Sequence, residues 1–167
     1  MAGLTMVSRV LGLLREAILA RVFGLGWIMD AWVIAFMVPN LFRRLFGEGA
    51  LAGAFIPHYT RLDQAEPLRA RRFAGLVMIW LIMLLGLITL FGEGAIGIAL
   101  GDAHLSERVR LMLELIQTTL PYMPLVCVVA VLGAMLQVHG RFGPPAGAPI
   151  VLNVAIIAAA LYAGHSY

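Results

Sequence analysis

Arg9, Arg15 and Arg21 stand six residues apart in a stretch that is otherwise mostly aliphatic. Further along, Arg43 and Arg44 follow the pair Pro39–Asn40 and precede Glu48, and Asp30 lies upstream in the same apolar run. A guanidinium keeps its charge when buried and presents a planar fork of N–H donors that matches phosphate oxygens two at a time. Several such groups with few acids beside them attract an anion, and phosphate or pyrophosphate fits the fork best. A charged side chain at mid-bilayer costs about 2.5–3.5 kcal/mol on insertion scales, so residues of this kind face water or one another. Two readings follow from the residues alone. One is a polar cavity inside the membrane that takes the phosphorylated headgroup of a lipid while the tails stay in the bilayer. The other is a set of structural ion pairs locking helices together.

The setting follows from composition. Of 167 residues, 62% are hydrophobic and 13% charged, against about 25% charged in a soluble domain, and mean hydropathy is +0.94. These values point to an all-α integral membrane protein with room for about five spans. Cys127 is the only cysteine, so there is no internal disulfide and no zinc motif. His58, His104, His139 and His165 are scattered. No HExxH, P-loop, GxSxG or GxGxxG pattern occurs. No catalytic residue, cofactor, metal or nucleic acid is therefore expected. All twelve basic residues are arginine. A GC-rich coding sequence produces that bias too, but the physical consequence for phosphate binding is the same.

The elements that must position these charges are legible in the apolar runs. Phe73–Phe91 is an uncharged run of about 28 Å as a helix, one hydrocarbon thickness. Leu115–Val138 is uncharged, with Pro121 and Pro124 expected to bend it. Phe142–Gly164 is uncharged; GPPAGAP at 143–149 is expected to lead into it, with the helix running from about Pro149 and Asn153 bonding to a neighbouring helix. Leu4–Gly26 and Trp27–Phe46 read as two further membrane helices with charges embedded. For the first, a surface helix or a targeting segment is the alternative. The expected spans are 4–26, 28–60, 73–92, 107–138 and 146–164. Ser106 and Glu107 read as the N-cap and first turn of the fourth. Loops with Arg61, Arg69, Arg71, Arg72 and Arg141 fall on one side. Arg108 and Arg110, balanced by Asp102 and Glu107, fall on the other. The positive-inside rule then places the N-terminus in the cytoplasm. LFGEGA occurs at 45–50 and again at 90–95, but the flanks differ and no internal repeat is inferred.

On a straight helix at about 100° per residue, Asp30 and Glu48 share one angle, with Met37 about 20° and Arg44 about 40° away. Arg44 and Glu48 are then an i,i+4 pair, and Arg43 points elsewhere. Arg9, Arg15 and Arg21 spread at about 120° intervals, so they share a cavity only if the helix bends, for which Gly12 is the candidate. Arg9 and Glu16 lie about 20° apart and are close enough to be bridged through a third group.

Three segments, TMVSRVLGLLREAILARVFGLG at 5–26, DAWVIAFMVPNLFRRLFGEGALAGAFIP at 30–57 and LQVHGRFGPPAGAPIVLNVAI at 136–156, closely resemble the MurJ/MviN family. These are the lipid II flippases of bacterial peptidoglycan synthesis, within the multidrug/oligosaccharidyl-lipid/polysaccharide exporter superfamily. The resemblance implies a two-lobed transporter fold, of which this chain would be a partial N-terminal lobe over 1–167. The second lobe would be absent, and the fragment inactive by itself. It implies that Arg9 and Arg15 line a central cavity, with Asp30 near it, and that Asn40, Arg43, Arg44 and Glu48 belong to the same substrate-binding set. Arg21 matches a common basic position. Met37 stands where some members carry lysine. Lysine at Arg9 is expected to weaken function, because it keeps the charge without the fork.

The implied partners are lipid II (an undecaprenyl-diphosphate-linked muropeptide), membrane lipids and the remaining helices of a full-length transporter. The implied location is the bacterial inner membrane, multi-pass. Two alternatives stand beside flipping of lipid II. One is export of another polyprenyl-diphospho-oligosaccharide or multidrug antiport; the other is a non-transporting membrane scaffold. An enzyme acting on a lipid diphosphate has no acid–base constellation to support it.

Overall fold

Prolines and glycines punctuate this chain. The computed structural model describes residues 2–24 and 26–165; within the helices, the side chains at 2, 4, 5, 47, 48, 50–52 and 163–165 lie outside that description. The helices are α1 (Ala2–Phe23), α2 (Trp27–Arg43), a π-helical turn (Arg44–Glu48), α3 (Ala50–Ala65), α4 (Pro67–Leu100), α5 (Glu107–Thr119), α6 (Tyr122–Val138) and α7 (Gly143–His165). Among the described residues there is no strand.

Each break has a local cause. Gly24 (φ 76°) follows α1 and Gly140 (φ 71°) follows α6, the left-handed conformation that glycine adopts without a Cβ penalty. Beyond α6, the Arg141 N–H donates to Leu136 O at 2.8 Å, closing the helix end. Pro67 opens α4 at a position needing no N–H, and Glu66 before it is extended (φ −145°, ψ 83°). The segment TRLDQAEPLRARR, expected as a loop, is therefore helical on both sides of Glu66. α5 begins as expected: Ser106 Oγ accepts from the Val109 N–H at 3.5 Å. α5 and α6 meet at a 41° bend, beside Pro121 and with Pro124 in the first turn of α6.

Two expectations are corrected. α7 starts at Gly143, not near Pro149, because Pro144 and Pro145 occupy a first turn whose N–H groups have no helical partner in any case. The second membrane helix is not continuous: α2 stops at Arg43 and gives way to the π turn. There i→i+5 bonding widens the coil, so an angular spacing of about 100° per residue no longer relates Glu48 to Asp30.

By length and composition, α4 and α7 each suffice to cross a membrane, and α5 with α6, bent by 41°, would suffice if the pair forms one span. α4 is about 51 Å long, well beyond a hydrocarbon core of about 30 Å, so its Arg69, Arg71 and Arg72 end projects past the apolar run. α1 is long enough but carries Arg9, Arg15, Glu16 and Arg21. α2, with 17 residues, reaches only about 26 Å.

The connections segregate to two ends. Tyr59 Oη lies 3.1 Å from His139 Nε2 and Asp63 Oδ2 lies 3.7 Å from His139 Nδ1, bringing the α3–α4 and α6–α7 junctions together. At the other end the Arg108 guanidinium sits 5.8 Å over the Trp27 ring, and Arg110 Nη2 donates to Leu100 O at 3.2 Å.

The core lies between α3, α4 and α6, around Phe55, Tyr59, Leu81, Leu85, Met123 and Cys127. The rings of Tyr59 and Phe73 stack on that of Phe55 at 5.4 and 5.6 Å. Outward faces stay apolar: Trp80, Leu87 and Phe91 of α4 are all exposed, as suits a helix meeting lipid or further protein. Cys127 is 0% exposed. It is expected to resist aqueous maleimide in the folded protein and to react fully after unfolding, as read by mass spectrometry. Rapid labelling of the native protein would show this core to be open.

Candidate functional site

Only a few residues join α1 to α2, which makes them neighbours, yet they barely touch. α1 packs chiefly on α7, and α2 on α5 and α6. The space left between α1 and α2 is a groove of about 820 Å³, within the ~300–1,000 Å³ usual for ligand clefts. Its polar lining is Arg15 and Glu16 from α1 with Asn40 and Arg44 from α2 and the turn that follows it. Its apolar wall includes Leu19, Trp32, Phe36 and Met37, with Ile156 from α7. The lining residues from Met29 to Arg44 recur at three- and four-residue intervals, the spacing of a single helix face.

Arg15 is the best-held charge in the groove. Its side chain is 26% exposed. Nη1 donates to Asn153 Oδ1 at 3.1 Å and Nη2 to Glu16 Oε1 at 3.2 Å. Asn153, 6% exposed, also donates from Nδ2 to Ser8 O at 3.3 Å. One buried amide on α7 thus ties two turns of α1 and aims a guanidinium. Two acceptors fix its orientation while N–H groups remain for a third partner. Arg15 and Arg44 against Glu16 leave the lining net positive, and low-dielectric walls strengthen its pull on an anion.

The expected site residues separate on this geometry. Arg15, Asn40 and Arg44 come together at the groove. Arg43 does not line it, but its Nε donates to Asn40 Oδ1 at 3.0 Å, so Arg43 holds a residue that does. Of the adjacent pair it is Arg44 that faces the groove. Arg9, Arg21 and Asp30 are exposed and outside its lining. The side chain of Glu48 lies outside the described residues. Gly12 sits inside an unbroken α1, and the 120° spread of the three arginines therefore persists. Glu16 bonds to its neighbour Arg15 and not through a third group to Arg9. Asn153 had a legible signal as an amide inside an apolar span, but its tie to Arg15 depends on the packing of α7. Glu16 was visible as a charge, not as Arg15's acceptor.

Residues 19–167 match the family described as lipid II flippase MurJ. The chain belongs to the MurJ family. It is 35% identical to the probable lipid II flippase MurJ of Haemophilus influenzae over 95% of its own length and 34% of that relative. With the probable lipid II flippase MurJ of Rickettsia prowazekii it shares 36% identity over 99% of the chain and 34% of the relative. With the lipid II flippase MurJ of Burkholderia cenocepacia it shares 32% identity over 96% and 32%. The chain thus spans about a third of the length of the MurJ relatives it matches. The match covers α2 to α7 whole and reaches back into α1 to include Arg21.

Proposed function

We propose that this chain is the N-terminal part of a lipid II flippase. On this reading its α1–α2 groove holds the diphosphate-bearing headgroup of lipid II during transfer across the bacterial cytoplasmic membrane. The observation that carries the reading is the pairing of Arg15 and Arg44 on facing elements over one open groove, with the Arg15 fork pre-aimed by Asn153 and Glu16. Pre-aiming lowers the ordering cost of binding, and two guanidiniums offer enough donors for both phosphoryl groups. The apolar wall of Trp32, Phe36 and Met37 suits the lipid side of such a ligand. The reaction is translocation by alternating access and makes no covalent bond. The N-terminus lies in the cytoplasm, on the same side as the arginine-rich α3–α4 junction. Helices beyond this chain supply the opposing lobe.

The test uses full-length protein carrying this chain, purified and assayed for lipid II binding and for rescue of cells depleted of their own flippase. Arg15→Ala and Arg44→Ala are each expected to abolish rescue and to weaken binding with expression unchanged; Arg44→Ala should keep the melting temperature, and Arg15→Ala should lower it modestly because Asn153 Oδ1 loses a donor. Loss of folding in both would instead make the arginines architectural. Unchanged binding in both would remove the groove as the headgroup site.

A further inference from the structure

Pro39 lies inside α2 and has no N–H, so the carbonyl four residues earlier, Ala35 O, loses its helical donor. Ala35 and Pro39 are both buried, and a bilayer offers no water to replace the lost bond. The missing donor comes from another helix. Thr119, at the end of α5 and 8% exposed, donates from Oγ1 to Ala35 O at 3.1 Å. The same oxygen lies 3.1 Å from Ile116 O in its own helix. A hydroxyl carries one proton, so Thr119 has two acceptors at equal distance and serves one at a time.

We propose that Pro39 is a hinge in α2 and that Thr119 is its two-position catch. Thr119 is a positioning residue that sets where Asn40 and Arg44 stand over the groove. With the proton on Ala35 O, the carbonyl freed by Pro39 is satisfied and α2 is held against α5. With the proton on Ile116 O, Thr119 keeps a partner and the Arg44 end of α2 is free to swing. The exchange keeps Thr119 partnered but leaves Ala35 O without a donor, so release costs about what one hydrogen bond is worth. Its surroundings suit a pivot. Phe36, its ring 6.3 Å from that of Tyr122 on α6, keeps the near half of α2 docked. Beyond Pro39 come Asn40, Arg43 and the π turn. Thr119 itself sits at the 41° bend between α5 and α6, where a second proline has already interrupted the helix.

The binding half of the test rests on the groove being the headgroup site; the hinge half does not. In full-length protein carrying this chain, Thr119→Val, Thr119→Ser, Pro39→Ala and the double variant Pro39→Ala/Thr119→Val are compared. Two readouts are taken: backbone amide exchange over residues 40–43 and affinity for lipid II. Thr119→Val is expected to raise exchange about tenfold and to weaken binding about five- to tenfold, the effect of one lost hydrogen bond. Thr119→Ser should behave as wild type. In the Pro39→Ala background the introduced alanine supplies the N–H that Ala35 O lacked, so adding Thr119→Val should change neither readout. Equal effects of Thr119→Val in the wild-type and Pro39→Ala backgrounds overturn the proposal, as does a wild-type result for Thr119→Val. If Thr119→Val fails to fold, folding of the double variant supports the catch and its failure sinks it. Coupled exchange without lipid II binding in any variant would leave the hinge standing and remove the groove's assignment.

Discussion

Arg15→Lys in the full-length transporter is expected to reduce affinity for lipid II by about 10- to 150-fold, the equivalent of one charge-assisted hydrogen bond of ~1.5–3 kcal/mol, while leaving the fold intact. The cause is geometric. The guanidinium spends one N–H on Asn153 Oδ1 and another on Glu16 Oε1, and still has donors in a fixed plane for a phosphate edge. An ammonium has three donors on one atom. After bonding the same two acceptors it meets a phosphoryl group at a single point, without the planar match. Arg9→Lys separates this from a charge effect. From sequence that substitution is expected to weaken function, but Arg9 is exposed and off the groove, so its effect on binding should be the smaller of the two. Titration of lipid II against the purified variants decides the matter. Equal affinities for Arg15→Lys and wild type would show that charge alone, not the fork, holds the headgroup.

The second large effect is expected at Gly49, where the π turn ends. A Cβ there would lie 2.7 Å from Leu45 O, 3.1 Å from Arg44 O and 3.3 Å from Leu45 C. All three are backbone atoms of the turn, so no side-chain rotation relieves the clash. Gly49→Ala is therefore expected to destabilise the protein by about 1–3 kcal/mol, or to convert the turn to another path at similar cost. Either outcome displaces Arg44, whose N–H bonds to Asn40 O and Leu41 O as the turn begins. Gly94 is the control. It holds the same place in the second LFGEGA, at 90–95, but a Cβ there meets nothing within 4 Å. Gly94→Ala should be neutral or stabilising by up to about 1 kcal/mol, as alanine is the better helix former. Thermal unfolding of both variants in detergent tests the pair. A Gly49→Ala protein as stable as wild type would mean the π turn is not required.

Much of the fold was legible because apolar length and charge are properties of consecutive residues. The uncharged runs became α4, the α5–α6 pair and α7, and Pro121, Pro124 and Ser106 acted where their chemistry placed them. The lapses share a cause. GPPAGAP and TRLDQAEPLRARR look like loops by composition, yet Pro67, Pro144 and Pro145 stand in first helical turns, where no N–H is needed, and the residues flanking Pro67 form helix readily. For the site, guanidiniums in an apolar setting were visible at once. Which of them share a groove was not, because spacing gives an angle around one helix and says nothing of how far α1 leans from α2.

The two copies of LFGEGA draw the line most sharply. At 45–50 the hexapeptide forms a π turn, a glycine corner and the start of α3; at 90–95 it is straight α-helix. Identical residues carry identical propensities, so local chemistry did not choose between the two. By itself the sequence determined that this is a membrane-embedded helical chain of the MurJ family, with arginines set where lipid should be. Only the tertiary structure decided that Arg15 and Arg44 line one groove while Arg9, Arg21 and Asp30 stay outside it, and that Ala35 finds in Thr119 the donor Pro39 cannot provide. The physical reason is that a helix period is set within one segment, whereas the gap between segments is set by side chains far apart in sequence.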